Sequence, residues 1–124
     1  TKLGACKARD PRPTLQRLED LGKLLPREGR FAFEFRHPSW FGDPDVEAVF
    51  RRFNWCLCLV ECCNSDGWAG QLASGANPPV AKYPLTCDWG IYFRFHGPKG
   101  QYIGSYGKQG LRRWAKHIQG ATEG

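Results

Sequence analysis

The chain has 124 residues, 41% of them hydrophobic and 24% charged, the make-up of one globular domain with a modest core. No apolar run approaches the ~18 residues of a membrane-spanning helix, so the sequence predicts no membrane span. A net charge of +6 favours anionic partners such as phosphates, nucleic acid or an acidic surface, against the plainer reading of a solvated basic surface.

Residues 1–12 are basic and proline-containing and read as a loop segment. A helix is expected from about Pro13, because Leu15, Leu18, Leu21 and Leu25 fall on one stripe and Pro26 with Gly29 ends it. FAFEFR, residues 31–36, then alternates as a strand: Phe31, Phe33 and Phe35 share one side, Ala32, Glu34 and Arg36 the other. HPSWFGDPD hands over to a second helix, with Asp43 as N-cap and Pro44 at the first helical position. Val46, Val49, Phe50 and Phe53 give that helix its apolar stripe.

A second strand is expected from Trp55 to Glu61. Residues 62–89 are expected to form a long connection rich in Gly, Asn, Ser and Pro, of a length that in compact domains is usually either functional or disordered. GIYFRF, residues 90–95, is the third strand, and a glycine-rich link leads to a last helix striped by Leu111, Trp114, Ala115 and Ile118. Strands alternating with helices predict a parallel sheet with helical crossovers, an α/β fold.

Methionine is absent, position 1 included, and the chain ends on ATEG straight after a helical pattern. The expectation is an internal piece of a longer protein. Six cysteines raise the question of disulfides, but Cys56 and Cys58 lie on one side of a strand, about 6–7 Å apart at Cα, pointing in parallel. Cys62 and Cys63 are adjacent. Reduced thiols in an intracellular, cytoplasmic protein fit this spacing better, with Cys56 and Cys58 as small apolar residues under the helices.

The third strand repeats the first: Ile91, Phe93 and Phe95 on one side, Tyr92, Arg94 and His96 on the other. With the aromatic sides under helices, Glu34, Arg36, Glu61, Tyr92, Arg94 and His96 converge on a shared interior. An open sheet covered by helices on both sides would make those charges costly. A (β/α) barrel has a separate inner face, and these residues sit towards the C-terminal ends of their strands, where such barrels carry their chemistry. About three strands cannot close a barrel, so the expected fold is a partial TIM-like one. The competing reading is an ion-pair network, Glu34 with Arg36 and Glu61 with Arg94, filling the lumen without function.

FEFRHPSWF, the run carrying Thr86, Asp88, Tyr92, Arg94, His96 and Gly97, and YIGSYGKQGLRRWA together resemble the YecE-like family, domain of unknown function 72. The likeness covers most of residues 13–119 in the same order. It implies a TIM-barrel-like domain about twice this length, of which residues 13–124 would be a fragment and the remainder is missing here. The family more often has an aspartate near the end of the middle strand, where this chain has Glu61 followed by Cys62 and Cys63. No biochemical activity comes with the resemblance.

Three chemistries compete. In the first, Glu34, Glu61 and His96 perform acid–base catalysis on a small anionic substrate, two carboxylates separating their pKa values in a desolvated lumen and His96 moving a proton. Arg36, Tyr92, Arg94 and Lys108 bind that substrate, and the glycine-rich loop from Gly97 to Gly107 either cradles phosphate at a helix start or, the plainer and favoured reading, is a simple turn into the helix. That loop is no Walker A motif, since Gln109 stands where Ser or Thr is required. In the second, the chain is a nucleic-acid-binding module without catalysis. Lys108, Arg112, Arg113, Lys116 and His117 make one side of the last helix basic, and Trp40, Trp68 and Trp89 lie in loops to stack on bases. In the third, His37, Cys62, Cys63, Cys87 and His96 meet at one rim as a metal or redox site, though their spacing matches no common zinc pattern. The first is the preferred reading, and the sequence assigns no metal and no cofactor.

Overall fold

The computed structural model describes residues 12–35, 38–61, 84–97, 99 and 103–122. It is a mixed α/β structure with short parallel strands in two small sheets. The chain divides into two compact units, Thr1–Cys58 with Pro84–Tyr92 and Leu59–Tyr83 with Phe93–Gly124.

In the first unit, α1 (Arg12–Leu24) buries Leu18 completely, with Leu15, Leu21 and Leu25 packed partly against the same core. Strand β1 (Ala32–Phe33) pairs in parallel with β2 (Cys56–Leu57), Ala32 opposite Cys56 and Phe33 opposite Leu57. Between them a short 3-10 turn, Pro38–Trp40, precedes α2 (Pro44–Phe53). The expected N-cap is present: the Asp43 carboxylate accepts the Asp45 amide at 2.9 Å, and Pro44 occupies the first turn. Asp45 and Glu47 at the start of α2 and Arg51 and Arg52 at its end oppose the helix dipole.

The C-terminus of α2 is a Schellman motif. Asn54 takes left-handed backbone angles (φ 57, ψ 41), its amide bonds Arg51 O, and the Trp55 amide bonds Phe50 O at 2.9 Å. The indole of Trp55 meets the ring of Phe50 edge-on at 5.6 Å, the apolar contact this motif usually carries. Strand β2 follows without a connecting loop.

The core of this unit is an aromatic cluster. Phe33 lies 4.6 Å from Trp55 and 5.6 Å from Phe50, Phe35 stacks on Trp40 at 4.1 Å, and Phe53 stacks on Trp55 at 5.0 Å. Each such pair contributes roughly 0.5–1.5 kcal/mol beyond its buried area, so the cluster outweighs the two-residue ladder beside it.

In the second unit, β3 (Leu59–Glu61) pairs in parallel with β4 (Phe93–Phe95), Leu59 opposite Phe93, Val60 opposite Arg94 and Glu61 opposite Phe95. Helix α3 (Gly107–Thr122) packs on β4 through Trp114, whose ring is 5.8 Å from Phe93 and 5.0 Å from Phe95. The expected stripe on this helix is rotated. Leu111 is 56% exposed, and the buried line runs instead through Gly110 and Trp114, with His117 and Ile118 half-buried. Trp114 is the large side chain that reaches the strand phenylalanines, so it sets the rotation and leaves Leu111 on the shoulder.

The strands are shorter than their alternation suggests. Among the described residues FAFEFR yields Ala32–Phe33, the run from Trp55 to Glu61 breaks at Cys58 where the ladder partner changes from β1 to β4, and GIYFRF yields Phe93–Phe95. No barrel closure is seen among the described residues.

Helix α1 is held close to α2 at Gly22, where a Cβ would fall 2.4 Å from the Phe53 ring. That ring cannot swing away freely, being stacked on Trp55 and flanked by the guanidinium groups of Arg27 (5.1 Å) and Arg52 (4.7 Å). Gly22→Ala should therefore destabilise the protein by about 1–2 kcal/mol, the overpacking cost exceeding the ~1 kcal/mol gain in helix propensity. Urea unfolding checks this, and a stabilised variant would refute the close contact.

Candidate functional site

Strand alternation separates the chemistry from the core. In the first unit Phe33, Phe35 and Leu57 face the helices. Glu34 lies on the other side of its strand, half-buried, where the Cys58 thiol donates to its carboxylate at 3.9 Å. Sequence reasoning placed Cys56 and Cys58 under the helices. The structure puts Leu57 there instead, because Ala32 registers with Cys56 and Phe33 with Leu57. Both cysteines are thus buried on the carboxylate side.

Beside β2 runs the segment from Pro84 to Tyr92, fixed by side chains. The Thr86 hydroxyl donates to Trp55 O at 2.7 Å and accepts the Leu57 amide at 3.3 Å. The Asn54 side chain clasps Asp88 twice, its amide donating to the carboxylate at 2.7 Å and its carbonyl accepting the Asp88 amide at 3.0 Å. The Trp89 indole donates to Asn54 O at 2.7 Å, with Arg30 over its ring. Thr86 and Asp88, two residues of the motif that carries the family likeness, therefore serve as fasteners. Tyr92, at the end of this segment, is 48% exposed.

Two thiols meet here. Cys56 and Cys87 both donate to Gly90 O, at 3.9 and 3.2 Å, so the two free thiols share one acceptor and interact electrostatically. Burial pushes the Cys56 thiol up from its ordinary 9.0 to about 11, the Cys87 thiol adding to the rise and a backbone hydrogen bond at Tyr92 opposing it.

In the second unit Arg94 and His96 occupy alternate positions to Phe93 and Phe95, whose rings meet α3. His96 is 4% exposed and lies just past the C-terminal end of β4. Gly97 follows with φ 123, and its amide donates to the Tyr106 hydroxyl at 2.9 Å, folding the approach to α3 back onto the strand end. Lys108, exposed, is in the first turn of α3. The ladder pairs the Arg94 position with Val60 and the Glu61 position with Phe95.

The structure places the Glu61 and Arg94 positions on paired strands but out of register, Glu61 level with Phe95 and Arg94 with Val60, so the expected Glu61–Arg94 pairing is not what the ladder sets opposite. His96 follows the end of β4, and Glu34 and Tyr92 belong to the other unit. Arg36, His37, Cys62, Cys63 and Trp68 lie outside the described residues. Of the tryptophans expected to stack on bases, Trp40 is 2% exposed and already stacked on Phe35, and Trp89 is pinned by its indole N–H. Among the described residues no three His, Cys, Asp or Glu side chains gather as a metal site, and no helix is long and apolar enough to cross a membrane. A groove of about 300 Å³ between α1 and α2 is lined by Leu15, Glu19, Asp45, Ala48, Val49 and Arg52, on the helical side and away from Glu34.

Sequence reasoning missed Asn54 and the Cys56–Cys87 contact. Asparagine between a helical stripe and a strand is a recognisable left-handed cap, but thiols 31 positions apart leave no local signal.

The profile of the family described as "Protein of unknown function DUF72" matches residues 6–124. No curated protein and no solved structure matches the chain.

Two outcomes follow. Asn54→Gly keeps the left-handed cap and loses the Asp88 clasp, whereas Asn54→Ala loses both. The alanine variant should be the less stable by about 0.5–1 kcal/mol in denaturant unfolding, and equal losses would refute the backbone role. For Cys56 the folded thiol keeps its proton to higher pH than the unfolded one, so its contribution to stability is complete below about pH 9 and is lost as pH rises through about 11. The stability difference between wild type and Cys56→Ala should shrink across that window; a difference constant with pH would contradict the shift.

Proposed function

The chain belongs to the DUF72 family, and on that premise we propose that it is part of a TIM-like (β/α) barrel enzyme acting on a polar anionic substrate, phosphorylated or carboxylated. Acid–base chemistry at the carboxyl ends of the strands does the work. One observation carries this reading: the buried His96 follows Arg94 at the carboxyl end of a parallel strand whose alternate positions are committed to the helix side. In α/β folds the carboxyl ends of parallel strands are where ligands bind.

The roles follow from side-chain chemistry. Arg36 and Arg94 supply planar pairs of donors that match a carboxylate or phosphate. Tyr92 donates a hydroxyl, and Lys108 adds a positive charge beside the first amides of α3. Glu34 and Glu61 serve as acid and base, and His96 moves a proton. The thiol beside Glu34 supports a carboxylate set in a partly desolvated place. Free thiols at Cys56, Cys58 and Cys87 suit a reducing, cytoplasmic setting.

A second reading has one observation in its favour: Lys108, Arg112, Arg113 and Lys116 are all exposed on α3, as a phosphate-backbone surface requires. The burial of Trp40 removes part of its stacking platform.

Thermal unfolding of wild type and Arg94→Ala against phosphorylated metabolites, dicarboxylates and short oligonucleotides separates the two. A small anion at ~100 times its Kd should stabilise wild type by about 2.7 kcal/mol and leave Arg94→Ala unmoved. Stabilisation by oligonucleotides alone, equal in both proteins and lost at high salt, would replace the enzyme by the binding module.

A further inference from the structure

The close pairing of Cys56 and Cys87 has no part in the acid–base reading. We propose that these two thiols form a reversible disulfide, a peroxide-responsive dithiol site that ties the Pro84–Tyr92 segment covalently to β2.

The geometry is set by groups other than the sulfurs. Thr86 is bonded to the backbone of Trp55 and Leu57, the two neighbours of Cys56. Asp88 and Trp89 are bonded to Asn54. Cys87 thus sits between Thr86, fixed to both neighbours of Cys56, and Asp88, fixed to Asn54, and the thiols share one acceptor, Gly90 O. Bridging two side chains requires their backbones to be close and held so, and these hydrogen bonds hold the Cys87 segment beside β2 before any bond forms. Cys58, the nearest alternative on the chain, is turned to Glu34.

The pair is unequal. Cys56 is buried and Cys87 half-buried, so an oxidant from solvent meets Cys87 first. Hydrogen peroxide is the co-reactant. The Cys87 thiolate attacks one peroxide oxygen, the O–O bond breaks, and Cys87 becomes a sulfenic acid with hydroxide leaving as water. The Cys56 sulfur then attacks the Cys87 sulfur, the S–O bond breaks, and the departing hydroxide takes the Cys56 proton as a second water. Two thiols are oxidised to one disulfide and one peroxide is reduced to two waters. A thiol reductant reverses the bridge by exchange. Cys56, which holds its proton to about pH 11, resolves the sulfenic acid because both sulfurs are gathered at Gly90 O.

The test is peptide mapping of the protein after brief peroxide treatment, with free thiols blocked by iodoacetamide under denaturing conditions. The expected product is a Cys56–Cys87 cross-linked peptide that disappears with dithiothreitol. Dimedone, which traps sulfenic acids, should label Cys87 many-fold more in Cys56→Ser than in wild type, since the resolving thiol is gone. Should the buried Cys56→Ser fail to fold, Cys87→Ser, at the half-exposed partner, gives the second arm: its Cys56 should stay alkylatable after the same treatment. Cys56 and Cys87 both remaining free in peroxide-treated wild type, a bridge between other cysteines, or a cross-link joining two copies of the chain would each overturn the proposal.

Discussion

The left-handed backbone at Asn54 is the constraint on which the first unit depends. Helix α2 ends there and β2 begins two residues later, so the chain must reverse within one position. Glycine would do this at no steric cost, but it would offer nothing to Asp88. Asparagine tolerates the same angles and has an amide that donates and accepts at once. One residue therefore closes the helix, aims Trp55 into the aromatic cluster and holds the segment carrying Thr86, Cys87 and Asp88.

A second regularity is the division of labour across each strand. Aromatic rings at alternate positions commit one side to helix packing: Phe33 and Phe35 against α2 and Trp55, Phe93 and Phe95 against Trp114. Whatever is polar at the intervening positions is thereby kept out of the helix interface without needing a partner there. Glu34 and Arg94 owe their side of the strand to the hydrophobicity of their neighbours, which is why an alternating pattern with charges reads so clearly.

That clarity explains which expectations held. The α2 stripe, its Asp43 cap and Pro44 start were legible because each is decided within one or two turns of chain. Strand ends were not, since where a ladder stops depends on the partner: the break at Cys58 comes from a change of neighbour, not from Cys58 itself. The α3 stripe was misjudged at Leu111 because a hydrophobic count weighs leucine and tryptophan alike, while packing obeys the larger ring. At the candidate site, the sequence reading of Thr86 and Asp88 marked them only by resemblance. Their hydrogen bonds to Trp55, Leu57 and Asn54, about 30 positions away, are long-range contacts that periodicity does not report.

The hydroxyl of Thr86 has a wider meaning for how this sheet terminates. A two-residue strand normally leaves a donor and an acceptor on its outer edge, and such a pair is a template on which another chain can add a strand. Here one side-chain oxygen takes both roles, donating to Trp55 O and accepting from the Leu57 amide, so the vacancy is filled by an imitation of a neighbouring backbone. Serine retains that chemistry, whereas valine, of nearly the same shape, has neither function. At Trp55 O and the Leu57 amide, the outer edge of β2 is capped by a single atom.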